Sequence, residues 1–213
     1  MKIIDPSFEI LFDEKHDYSL QKIEIAGRTC YKSENKITDD SASGFVRKII
    51  ASGHHSVIEH VYKTVKFICD RGVSHELVRH RLASFSQEST RYANYSKDKF
   101  GNEITVIRPY FWNENDDRYS IWLESMRMAE ESYLKLIKVG ARPEEARSVL
   151  PNSLKTEIVV SCNIREWRHI LNLRCSNAAH PQIRQIMLPL LKEFYDRYSV
   201  LFDDLYAKHI NAR

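Results

Sequence analysis

The 213-residue sequence has no apolar run approaching the roughly 20 residues that a membrane helix needs. It also has no internal repeat, no low-complexity tract and no Gly/Ser/Pro-rich linker. The first absence argues against a membrane-spanning helix, and the others make one domain over residues 1–213 the simplest organisation. Met1 leads into KIIDPSFEILFDE, which holds neither a long apolar segment nor a small-residue cleavage site, so no secretory signal is expected. Cysteine is scarce: Cys30, Cys69, Cys162 and Cys175 stand far apart and form no CxxC pair. A disulfide framework is therefore not expected, and reduced thiols in the cytoplasm are. Charge of one sign is scarcely in excess, with a net charge of +3 and a pI of 8.6. A dedicated DNA-binding domain concentrates far more positive charge, so nucleic acid is not an expected partner. There is no HExxH pair to hold a metal and no GxSxG elbow to activate a serine.

What is present suffices for a folded core: 43% hydrophobic and 11% aromatic residues. The opening segment has β character broken at Pro6. TDDSASGFVRKIIAS reads as a helix with Phe45, Ile49 and Ile50 on one face. From Val61 to Cys69 the residues alternate, with Val61, Val65, Phe67 and Cys69 on one side and Lys63 as the exception, which predicts a half-buried strand. RGVSHELVRHRL turns helical on Val73, Leu77 and Val78, and EITVIRPY is a strand closed by Pro109. A long helix is expected from Asp116 to Val139 on Trp122, Met126, Ala129, Tyr133 and Leu136, stopped by Gly140. RPEEARSVLP is a short helix with Pro143 near its first turn, LKTEIVVSCN a strand and REWRHILNLR a helix. Ile183, Ile186, Leu190, Phe194 and Leu201 stripe a long C-terminal helix. Helices around a few non-adjacent strands predict an α+β fold.

The densest polar stretch is RHRLASFSQESTRY, from Arg79 to Tyr92, with three arginines, a histidine, three serines and a glutamine in fourteen residues. If Arg79 and Arg81 end a helix, two residues of helical rotation aim them about 200° apart. They then suit two anionic groups, or a ligand between layers, better than one phosphate. The plain alternative is a solvated helix end with a polar loop. Ser84, Ser86 and Ser89 have no evident base and read as hydrogen-bonding groups. His54, His55, His60, His75 and His80 cluster in the sequence without metal-ligand spacing, so no metal is expected. Arg147 sits on the short helix. Asn163 stands at the cap of the helix that carries Arg165 and His169 four residues apart, and Arg174 ends it. Each is ordinary alone, as a cap or a solvated cation. Together they form a concentration of cations in a chain too weakly basic for DNA.

An RHR triplet followed by seven residues and a serine, RHRLASFSQES, resembles the signature of the flavin-dependent thymidylate synthases. GHHSVIEH, ARSVLP and CNIREWRHILNLR are similar to further segments of that family, and AAHPQIR more loosely so. The resemblance spans roughly Gly53 to Arg174. It implies a single-domain subunit with a central, largely antiparallel sheet flanked by helices, assembled as a homotetramer with active sites shared between subunits. The implied reaction methylates dUMP to dTMP. Methylenetetrahydrofolate is the carbon donor, and FAD reduced by NADPH is the hydride source. By the same resemblance Arg79, His80 and Arg81 contact FAD, joined by Ser56, Gln87, Asn163, Arg165 and His169. The nucleotide is held by Glu76, Arg79, Gln87, Ser89, Arg91, Arg147 and Arg174, and Arg174 promotes ionisation at N3 of the uracil ring.

Overall fold

The computed structural model describes residues 1–12 and 16–211; Asp13 and Glu14 of the opening segment lie outside them. Two short strands, β1 (Lys2–Ile4) and β2 (Ser7–Leu11), flank the break at Pro6. Then come α1 (His16–Tyr31), α2 (Ser41–Ala51), β3 (Tyr62–Asp70) and α3 (Arg71–Leu77). Strands β4 (Ser84–Gln87) and β5 (Thr105–Ile107) precede the long helix α4 (Asp117–Lys138) and the single turn α5 (Pro143–Ala146). The chain closes with β6 (Lys155–Asn163), α6 (Ile164–Arg174) and α7 (Pro181–Tyr206). The four-stranded sheet is antiparallel, in the order β2-β3-β6-β4. A separate parallel pair joins β1 to β5, with Lys2 opposite Thr105 and Ile4 opposite Ile107.

Contacts divide the chain into two compact units, each drawn from three separate stretches of sequence. The first comprises Met1–Phe8, Lys66–Arg79 and Phe85–Val159. Its core packs Tyr95, Ile104, Val106, Trp122, Met126, Tyr133 and Leu154. Helix α4 presents Tyr119, Trp122, Met126 and Tyr133 inward at helical spacing. It starts where the Asp116 carboxylate accepts the Arg118 amide at 2.9 Å. It is followed by Gly140 at φ +99°, a left-handed conformation that a side chain would strain.

The second unit comprises Glu9–Val65, His80–Ser84 and Val160–Arg213. Its core holds Ile23, Ile58, Trp167, Phe194, Tyr198 and Phe202, all at most 1% exposed. Trp167 stands edge-on to Phe194 with centroids 5.5 Å apart, and its indole N–H donates to the Lys63 carbonyl at 2.9 Å. Buried and half-buried residues alternate along both β3 and β6, as two-layer packing requires.

Several sequence expectations are revised. Lys63 lies within the buried stripe of β3, 2% exposed, with its ammonium 4.0 Å above the Tyr198 ring. A cation over an aromatic face is attracted by the ring quadrupole, which offsets part of its desolvation. Helix α3 ends at Leu77, not in the RHR triplet: Val73 and Leu77 are buried but Val78 is exposed, and the positions three and four residues after Leu77 hold His80 and Arg81, not apolar side chains. Arg79, His80 and Arg81 thus lie in turn and coil, and the helical-rotation argument for their splay does not apply. Helix α1 and strand β4 are additions to the sequence reading. The strand expected in EITVIRPY shrinks to three residues.

Candidate functional site

Helix α6 carries the densest set of expected site residues. It begins where the Asn163 side-chain oxygen accepts the Glu166 amide at 2.9 Å, which satisfies one of the amides a helix start leaves unpaired. From that fixed start, Glu166 and His169 fall on one face, three residues apart, and Arg174 ends the last turn. Arg165 points outward and donates to Glu59 at 2.6 Å. The loop after α3 brings His80 onto this helix, where it is buried. Arg174 Nε donates to His80 Nε2 at 3.0 Å across 94 residues of sequence. The other ring nitrogen of His80 lies 3.6 Å from Glu166 Oε1, and its ring meets His169 edge-on with centroids 5.7 Å apart.

Burial, and then the positive charge of Arg174 and His169, lower the His80 pKa to about 4. Burial raises the pKa of Glu166. Ligand-type atoms of His80, Glu166 and His169 all lie within 4.8 Å of one another, a grouping that histidine spacing in the sequence did not disclose. The guanidinium of Arg174 faces it with a permanent positive charge, and His80 Nε2 already accepts from that group.

The pKa of His80 makes a stability prediction. Between its unfolded value near 6.5 and the folded value of about 4, the unfolded chain binds the proton and the folded one does not. Stability is therefore lost as the pH falls through this window, at up to about 1.4 kcal/mol per pH unit for one proton, and the loss is complete below it. His80→Gln is expected to flatten the melting-temperature profile between pH 6.5 and 4.5, measured by thermal unfolding. An unchanged slope would place the missing proton elsewhere. His209, lowered by burial and then by Lys208, contributes with the same sign and keeps some slope in the variant.

Beside this group a cleft of about 540 Å³ is lined by His55, Arg165, Arg168, His169, Asn172 and Lys208, among others. Arg168 is held by Asp204 at 2.8 and 2.6 Å and by the Leu201 carbonyl. Lys208 donates to Asn172 at 2.8 Å. Ser56 is exposed in the 3-10 turn His55–His60 that precedes β3.

The first unit holds most of the remaining candidates. Gln87 ends β4, and its amide nitrogen donates to Ser74 at 2.9 Å and to Thr156 at 3.2 Å. The Ser89 hydroxyl accepts the Arg91 amide at 3.3 Å, which folds the chain so that Arg91 Nε sits 3.5 Å from Glu144. Arg147 Nη1 reaches Thr90 at 3.4 Å across 57 residues of sequence. Ser89, Arg91 and Arg147 are thus drawn to one place. Gln87 and Ser89 line a cleft of about 680 Å³ together with Lys66, Tyr92, Lys99 and Lys155. Arg79 is exposed and Glu76 half-buried. Glu88 is engaged by Lys155 at 3.1 Å and by the Tyr95 hydroxyl at 3.4 Å.

Residues 14–198 match the family described as thymidylate synthase complementing protein. A protein of Geobacter sulfurreducens called flavin-dependent thymidylate synthase is 34% identical over 177 residues, covering 80% of this chain and 75% of the relative. The chain belongs to the flavin-dependent thymidylate synthase family. A relative of that name from Corynebacterium aurimucosum is 33% identical over 213 residues, covering 91% of this chain and 83% of its own. A crystal structure of a UMP/dUMP methylase from Streptomyces cacaoi with 5-Br dUMP bound superposes with a TM-score of 0.76 over 97% of each chain. At 23% identity that likeness is one of fold.

Some features of this flavin-dependent thymidylate synthase family member escape sequence reasoning. Glu166 reads as an ordinary acid in the first turn of a helix, and only the fold sets it against His80. Lys66, Lys99 and Lys155 are scattered in sequence and gather around the cleft of Gln87 and Ser89. Cys175, beside Arg174, is 1% exposed. The Cys69 and Cys162 thiols are pushed up by burial, away from the thiolate form. Among the described residues, no helix is long and apolar enough to cross a membrane.

Proposed function

We propose that the chain converts dUMP to dTMP by reductive methylation, with methylenetetrahydrofolate as the carbon donor and with FAD and NADPH. The observation that carries the reading is that the RHR triplet and the second arginine segment meet, His80 against Arg174, within a chain that belongs to the family. The bound flavin supplies reducing equivalents as hydride, and the protein supplies binding, orientation and charge.

The donor chemistry fits such a group. Arg165, Lys208 and His169 offer cations and ring N–H around a cleft whose volume suits part of a dinucleotide. Asn163, Ser56, Arg79, His80, Arg81 and Gln87 complete the proposed flavin set. For the nucleotide, Arg91 and Arg147 beside Ser89 are suited to phosphate, since charge-assisted bonds from guanidinium to phosphate are short and strong. Glu76, Arg79 and Gln87 complete that set, and Arg174 is assigned to the pyrimidine ring.

Arg174 belongs to the second unit and the other nucleotide candidates to the first. In a homotetramer with shared sites they need not come from one chain. We take residues 1–213 as one functional domain, because neither unit is continuous in sequence, and as acting in the cytoplasm, the compartment that suits its four cysteines, which stand as thiols.

Purified protein is expected to show a flavin absorbance band and to form dTMP from dUMP. Arg91→Ala and Arg147→Ala should each raise KM for dUMP about tenfold or more, the effect of losing one hydrogen bond to a charged group, with kcat little changed. Colourless protein that gains no flavin spectrum on adding FAD, or wild type that forms no dTMP, would overturn the proposal.

A further inference from the structure

We infer that His80, held by Glu166, is a positioning residue that fixes the guanidinium of Arg174. The inference deepens the proposed function and rests on its placing Arg174 at the pyrimidine ring. Arginine has five N–H donors and no acceptor. The 3.0 Å contact from Arg174 Nε therefore requires a bare lone pair on His80 Nε2. A neutral imidazole with no proton on Nε2 must carry it on Nδ1. That N–H faces the Glu166 carboxylate, 3.6 Å away, longer than a hydrogen bond but close enough for attraction between the two groups. The chemistry of one contact thus dictates the tautomer, and the second stabilises it.

The surroundings hold the ring in that state. His80 and Glu166 are both buried, at 5% and 6% exposure, so water does not compete strongly for either. The charged groups facing His80 are Arg174, His169 and Glu166, all on α6. The cations and burial disfavour a protonated ring, which would turn Nε2 from acceptor to donor and repel the guanidinium. A fork anchored through Nε has its terminal nitrogens aimed by the anchor, because the guanidinium is planar and rigid. Nε2 of His80 is taken by Arg174 in this arrangement, and Nδ1 faces Glu166 beyond hydrogen-bond distance. A flavin contact at this residue is therefore left to the Nδ1–H, the ring face or the main chain.

A double-mutant cycle on FAD-loaded enzyme at saturating dUMP tests this, with His80→Ala, Arg174→Ala and the combined variant. His80→Ala should lower kcat by roughly 10- to 100-fold, by analogy with the loss seen when a group that orients a metal-ligating side chain is removed. The combined variant should be no slower than Arg174→Ala to within about twofold, because removing the positioner costs nothing once its target is gone. His80→Gln places a carbonyl oxygen near Nε2 and should recover much of the rate and keep FAD. Multiplying costs, or FAD lost from His80→Gln in step with its rate, would overturn the inference.

The ¹⁵N spectrum of the histidine side chains gives a readout independent of turnover. The signal that vanishes in His80→Gln should belong to a neutral ring protonated on Nδ1 and should shift in Arg174→Ala. A proton on Nε2 would overturn the inference. Wild type that forms no dTMP would instead strike the proposed function while the tautomer could still be read.

Discussion

Arg174→Ala is expected to keep its FAD and to lose roughly a hundred- to a thousandfold in dTMP formation. Methylation at C5 needs electron density on the pyrimidine, and ionisation at N3 supplies it. A guanidinium near N3 and the ring carbonyl stabilises the developing anion and never gives up its own proton. A preorganised donor of this kind is worth about 3 to 4 kcal/mol. Arg174 has the preorganisation such a value demands, since its Nε is anchored to a buried imidazole at 3.0 Å.

Arg174→Lys keeps the charge but loses both the planar fork and the Nε anchor, so it should fall between wild type and Arg174→Ala. The competing account is that Arg174, the last residue of α6, only complements the negative end of the helix dipole. That role is worth about 0.3 to 1 kcal/mol of stability and nothing in rate. Steady-state kinetics beside melting temperatures separate the two. Near-normal turnover with a slightly lower melting point would remove Arg174 from the catalytic role.

How much of the molecule can be read from its sequence depends on what each buried face is made of. Helix α4 is legible because aromatic and aliphatic residues recur on its inward face and Gly140 marks its end. Helix α1 is not, because the buried side it offers includes Ser19, Glu24 and Gly27 beside Leu20 and Ile23. Gly27 leaves room there for Phe45: a Cβ would lie 2.6 Å from its ring unless that side chain shifted. Glu24 is stabilised inside by Arg28, one turn along the same helix, at 3.0 Å and by the Ser41 hydroxyl at 2.9 Å, the second a contact that only the folded chain makes. Lys63 looked like a break in the period of β3, but the period was intact. Its tertiary partner, the Tyr198 ring, sits far away in sequence.

The site divides in the same way. Spacing along the chain placed Arg165 and His169 on α6 and Asn163 at its cap, as the structure has them, because these are local relations. The RHR loop resisted, since a helical pattern drawn through Val78 to Arg81 ignores that the apolar stripe stops at Leu77. No local rule brings His80 to Arg174 or Arg147 to Thr90. Resemblance to a family names His80 for the flavin and Arg147 and Arg174 for the nucleotide, but it pairs none of them and does not name Thr90.

The other large effect is expected at Trp167, and it concerns how α6 is held. The indole is fully buried, edge-on to Phe194, and Phe194 packs on Phe202 with centroids 5.0 Å apart. Its N–H meets the Lys63 carbonyl, so one side chain ties α6 both to the aromatic core of α7 and to strand β3. Trp167→Ala removes the ring and leaves a cavity, at a cost of about 3 to 5 kcal/mol. For a chain of this size that corresponds to a melting temperature lowered by roughly 6 to 20 °C. Trp167→Phe keeps most of the apolar contact and deprives the carbonyl of its donor, so it should cost about 1 to 3 kcal/mol. At a temperature where Trp167→Ala is still folded, its rate should fall less than that of Arg174→Ala, since the indole acts by holding the helix through Phe194 and the Lys63 carbonyl. A melting point within about 2 °C of wild type for Trp167→Ala would mean that α6 is secured by other contacts.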